Sequence, residues 1–138
     1  MPGVRPEVYV HFVWATWDRQ PLIAPATEEL LYACMVTECR RLGAEPFAIG
    51  GTEDHVHLLA RLPMTASGAH LMNQVKGVSA HLATHELRCE GFSWQGGYGA
   101  FSVCPRCVET TMEYIRDQRQ HHATGTSAKE LEPGSPGP

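Results

Sequence analysis

A chain of 138 residues is sized for one domain, and 43% hydrophobic with 19% charged residues gives it enough apolar side chain to bury a core. No apolar run approaches the roughly 18 residues of a membrane helix, which excludes a helical membrane protein. The formal net charge is −4, and residues 1–123 hold 10 Lys and Arg against 13 Asp and Glu. That balance excludes a simple DNA binder acting through a global positive field, so any nucleic-acid role must rest on a local site or a bound cation.

The N-terminal stretch MPGVRPEVYVHFVWATWDR lacks a secretory leader's order of basic, apolar and small-residue regions, so a cytoplasmic location is expected. VYVHFVWA, residues 8–15, is rich in β-branched and aromatic residues and predicts a strand. DRQPLIAP is a polar, proline-marked connection. TEELLYACMVTECRRLG then reads as an amphipathic helix. Thr27 is its N-cap, Glu28 and Glu29 fill the first turn, Arg40 and Arg41 the last, and Gly43 the stop.

Residues 45–49 and 55–61 predict two strands, with GGTED between them as turn chemistry. Ser67 opens a second helix, with Leu71, Val75, Val78, Leu82 and Leu87 near helical spacing and Gly77 as a mild weakness. Trp94 and the glycines of QGGYG lead into a strand over 98–103, and Pro105 marks the boundary before a third helix over 108–122. Residues 124–138 form a low-complexity tail expected to be disordered, which leaves 1–123 as the domain. The order β-α-β-β-α-β predicts an α+β, ferredoxin-like (RRM-like) antiparallel sheet with helices on one face, followed by one more helix at the C-terminus.

Two features carry chemistry. In His55-Val56-His57 the strand alternation sends both imidazoles to one face and Val56 to the other, so the pair can share one divalent cation. The competing reading is two histidines satisfied by neighbours. On the third helix Tyr114, Gln118 and His121 fall on one stripe, with His122 at its edge. A tyrosine hydroxyl beside a nitrogen or oxygen ligand is what brings a nucleophile to a metal-bound phosphate. The alternative for Tyr114 is amphipathic packing with its hydroxyl at the rim. Trp14, Trp17 and Trp94 offer surfaces for stacking bases, with core packing as the alternative for at least one.

Taken together these residues resemble the single-tyrosine HUH transposases of small insertion sequences, including the REP-associated tyrosine transposases. The resemblance runs through VYVHFVWATWDRQPLI, DHVHLL, VKGVSAHL, GYGAFSV and EYIRDQRQHH, nearly the whole of residues 8–122. It implies a DNA transposase that cuts and rejoins single-stranded DNA hairpin ends through a 5′-phosphotyrosine, with Mg²⁺ or Mn²⁺ as cofactor. Residue by residue, it implies His55, His57 and Gln118 as metal ligands and Tyr114 as nucleophile. Lys76, and with it His121, would be a candidate DNA contact. It further implies a homodimer in which the tyrosine helix can dock on the partner's histidines.

Five cysteines at irregular spacing suit reduced thiols in a reducing compartment. Cys104-Pro-Arg-Cys107 is a departure from the family pattern and opens a zinc-binding alternative, with His121 and His122 as further ligands. A zinc deaminase is excluded, because it needs H-x-E followed by P-C-x-x-C. The other competing function is a domesticated module that grips single-stranded nucleic acid without cutting it.

Overall fold

A computed structural model describes residues 7–118. His121, His122 and the predicted tail over 124–138 lie outside the described residues. The elements are β1 (Val8–Ala15), α1 (Pro25–Arg41), β2 (Glu45–Gly51), β3 (His55–Leu62), α2 (Gly68–His81), β4 (Gly99–Val103) and α3 (Val108–Arg116). They form one antiparallel sheet in the order β2-β3-β1-β4, the ferredoxin-like arrangement expected.

β1 and β3 are central, in a register that sets Phe12 opposite Leu58, Val13 opposite His57 and Ala15 opposite His55. Because side chains alternate along each strand, this register divides the residues between two faces. Phe12, Trp14, Val56, Leu58 and Ala60 face α1 and α2, where they join Leu31, Met35, Leu71, Met72 and Val75 in the main core. Tyr9, Ala48 and Leu59 face the other way and are covered by Ile115 of α3. The third helix therefore packs on the face opposite the first two.

Several boundaries differ from the sequence expectation. α1 starts at Pro25 with Ala24 as N-cap, three residues before the expected cap. A proline at the first helical position lacks only an N–H that would be unpaired there, and its fixed φ suits the helix. Thr27 instead turns its hydroxyl onto the Ala24 carbonyl at 3.1 Å. α2 does begin after Ser67, whose hydroxyl accepts from the His70 N–H at 3.1 Å, but ends at His81 and passes into a wider turn over Leu82–Glu86.

Gly50 and Gly51 belong to β2 rather than to a turn. A Cβ on Gly50 would run into the backbone carbonyl of Ile115, so the missing side chain lets α3 lie directly on the strand. Pro46 sits in this same edge strand, beside a break in its register with β3, where a missing N–H is tolerated.

Candidate active site

The site grows out of the α3 face of the sheet. His55 and His57 leave β3 on that face, with ring centroids 5.0 Å apart. Both are fully buried, as is Gln118. The pair thus sits in a cluster roofed by α3. Tyr114 lies on the same helix, its ring 5.8 Å from that of His57 and 6.4 Å from that of His11. Tyrosine helix and histidine pair meet here within a single chain.

Hydrogen bonds fix how these groups point. The His55 Nδ1–H donates to Asp54 Oδ1 at 2.8 Å, and Arg19 holds that same oxygen at 3.1 Å from the far side. The Thr52 hydroxyl donates to Asp54 Oδ1 at 3.1 Å and lies 3.0 Å from His55 Nδ1. Burial pushes the Asp54 carboxyl upward, but the bonds from His55 and Arg19 outweigh it and hold the group below the usual carboxylate range. Arg19 reaches Asp54 from a turn in which Asp18 and Arg19 take φ of 52° and 53°, a left-handed conformation uncommon outside glycine.

At the other end, the Gln118 amide donates to the Tyr114 carbonyl at 3.2 Å, which leaves its Oε1 facing His55 Nε2 at 3.2 Å. With the His55 proton assigned by this network to Nδ1, two lone pairs confront each other across that distance. A cation between such donors removes the conflict. The residues therefore fit a divalent metal held by His55, His57 and the Gln118 amide oxygen, with Asp54 orienting His55 from behind. Among the described residues, no three His, Cys, Asp or Glu side chains are placed to hold a metal by themselves, so the neutral amide matters to the set. None of the three donors is anionic, and a bound cation would keep its charge for a substrate phosphate.

A cavity of about 390 Å³ opens between the end of β1 and the loop before β4, lined by Val13, Ala15, Arg19, Gln95, Gly97 and Tyr98 among others. Trp17 stands in the 3-10 turn after β1, 54% exposed. Trp14 and Trp94 are core residues in an edge-to-face pair with centroids 5.9 Å apart.

Residues 5–118 match the family model described as IS200-like transposase. The chain belongs to that family. Among solved structures, the candidate transposase of Deinococcus radiodurans R1 shares 21% identity at a TM-score of 0.65, covering 86% of this chain and 95% of that one. The REP-associated tyrosine transposase bound to a REP hairpin shares 14% identity at a TM-score of 0.66, covering 95% of this chain and 78% of that one. At these identities the two structures show the fold alone. No curated protein matches the chain.

In this IS200-like transposase, His55, His57, Gln118 and Tyr114 come together as the sequence reading grouped them. Lys76 does not join them. It projects from α2, where its ammonium donates to the backbone carbonyls of Gln95 and Gly97 at 2.8 Å each and braces the loop before β4. Burial there lowers its pKa. His121 lies outside the described residues.

Tyr98, in the GYGAF stretch, packs against Phe12 at 6.0 Å between centroids, on the sheet face turned away from the histidines. Cys104 and Cys107 form a disulfide with Cα atoms 5.2 Å apart, which corrects the expectation of five reduced thiols and occupies both sulfurs of the supposed zinc pair. Cys34, Cys39 and Cys89 are free thiols, and burial pushes that of Cys39 up to about 12.

Sequence reading missed Asp54 and His11. Asp54 immediately precedes the HVH pair and could have been weighed as its orienting carboxylate. His11 was visible only as one histidine in an apolar strand.

No helix among the described residues is long and apolar enough to cross a membrane.

Proposed function

We propose that the protein cuts and rejoins single-stranded DNA hairpin ends, with a divalent metal at His55, His57 and Gln118 and a covalent phosphotyrosine at Tyr114. The observation that carries this reading is the convergence of the half-buried Tyr114 with the buried side chains of Gln118 and both histidines within the family-matched span. A bound Mg²⁺ or Mn²⁺ would withdraw charge from the phosphate oxygens and orient the phosphate.

The chain's own residues supply the rest. Asp54 keeps the His55 proton on Nδ1. Tyr114, once its phenol has given up a proton, attacks phosphorus. The 3′-oxygen leaves and becomes a hydroxyl, and the 5′-phosphate stays on the tyrosine. A second 3′-hydroxyl reverses the step, which is how one centre both cuts and joins without a nucleotide cofactor. Trp17 offers an exposed ring beside the cavity on which an unpaired base can stack. Hairpin recognition is supported by the hairpin bound to the structurally similar REP-associated enzyme.

The test is to incubate wild type, Tyr114→Phe and Tyr98→Phe with Mn²⁺ and end-labelled hairpin DNA, then look for label that stays with protein on a denaturing gel. Wild type and Tyr98→Phe should carry label, and Tyr114→Phe should carry none. Label that persists in Tyr114→Phe and vanishes in Tyr98→Phe would move the nucleophile to the other face of the sheet. No adduct from any of them, across many hairpins, would favour a module that binds without cutting.

The same reading makes the protein a homodimer, consistent with a four-stranded sheet whose edges are β2 and β4. Light scattering at micromolar concentration should find twice the 15.2 kDa chain mass, and a monomer alone would remove this part of the proposal.

A further inference from the structure

His11 has no part in the chemistry above, yet it is 1% exposed on the same sheet face. A buried imidazole costs stability unless its nitrogens find partners, so its position calls for an explanation. Its Nε2 lies 2.8 Å from His57 Nδ1, with the rings tilted by 40° and their centroids 5.0 Å apart. β1 and β3 are adjacent, and His11 reaches diagonally across the ladder to His57.

Only one proton can lie between those two nitrogens. If His11 donates it, His57 must carry its own proton on Nε2, where it would block metal ligation. If His57 donates from Nδ1, its Nε2 keeps a lone pair on the opposite side of the ring, and His11 must hold its proton on Nδ1. We infer that His11 is a positioning residue: it accepts the Nδ1–H of His57 and fixes both ring orientation and tautomer for metal binding. This inference rests on the metal reading of the site.

The two histidines of the pair then share one tautomer with unlike anchors, a carboxylate behind His55 and a neutral imidazole behind His57. A carboxylate in place of His11 would add a second anion near the metal, this one buried, and reduce the charge left for the phosphate. The imidazole orients without that cost. Orienting partners of this kind are worth about 10-fold to 100-fold in metal affinity.

The experiment has two readouts that do not depend on DNA cleavage. Two-bond proton–nitrogen correlation spectra of the ¹⁵N-labelled, metal-free protein should show both His57 and His11 protonated on Nδ1. A His57 protonated on Nε2 would overturn the inference. Mn²⁺ binding, followed by the electron paramagnetic resonance of the unbound ion, should weaken about 10-fold in His11→Phe, which keeps a ring but removes the acceptor. His11→Gln, whose amide oxygen can accept the same proton, should recover most of that loss.

A residue needed only for packing would lower unfolding stability while leaving Mn²⁺ affinity of the folded molecules unchanged, and that result would also overturn the inference. If His11→Phe fails to fold, the tautomer spectra and His11→Gln still decide. Wild type that binds no Mn²⁺ would bring down the metal reading and this inference with it. Wild type that binds Mn²⁺, beside a His11→Phe that binds equally well, brings down this inference alone.

Discussion

The two faces of the sheet are built on opposite principles. Toward α1 and α2, the central strands present Phe12, Trp14, Val56, Leu58 and Ala60, an apolar surface that buries sixteen residues in one cluster. Toward α3, the same strands present Tyr9, His11, His55, His57 and Leu59, and the apolar cluster there has four buried members among the described residues. A period of two lets each strand serve both purposes, since every second residue belongs to the other face. The first face supplies most of the stability. That allows the second to hold buried imidazoles and an amide whose partners must be provided one at a time.

Breaking the apolar face should have the largest energetic effect. Leu58→Ala removes a fully buried side chain and should cost about 2–5 kcal/mol of unfolding free energy, measured by urea titration. Adduct formation per folded molecule should change little. A loss of adduct as steep as the loss of stability would mean the two faces are not separable.

Asp54→Asn tests the other face and should do the reverse. Loss of the carboxylate behind His55 should weaken Mn²⁺ binding by about 10-fold to 100-fold. The stability change should stay below about 1 kcal/mol, because Asp54 is 23% and Arg19 41% exposed in their side chains and solvent screens the pair. Even that small difference has a sign in pH. The Asp54 carboxyl is held low in the folded protein, so its contribution is present above the unfolded pKa of about 3.9 and is lost as pH falls through the folded value. The stability gap between wild type and Asp54→Asn should close in acid, and a gap that widened would contradict the ion-pair account.

Much of this was legible in the sequence because it follows from alternation. β1 was predicted at its observed bounds, and the projection of His55 and His57 to one face needed only the strand period. Tyr114 and Gln118 were grouped by helical spacing, a local property. What sequence did not reveal depends on contacts between distant segments. The hydrogen bond between His57 and His11 joins positions 46 residues apart, and no local pattern marks it. The side of the sheet on which α3 lands is likewise set by packing. Gly50 was misread for a related reason: a glycine pair before Thr52 suggests a turn, and its use in seating a helix appears only once α3 is in place.

That seating gives Gly50 a practical meaning. The helix bearing Tyr114 is held close by the absence of an atom, so its height above the sheet can be set by adding atoms back. Alanine, serine and valine at this one position form a graded series of wedges beneath Ile115. Each would lift Tyr114 and Gln118 away from the histidines without altering any of these four side chains. The protein thus carries its own adjustable spacer, a handle on the gap between α3 and the sheet.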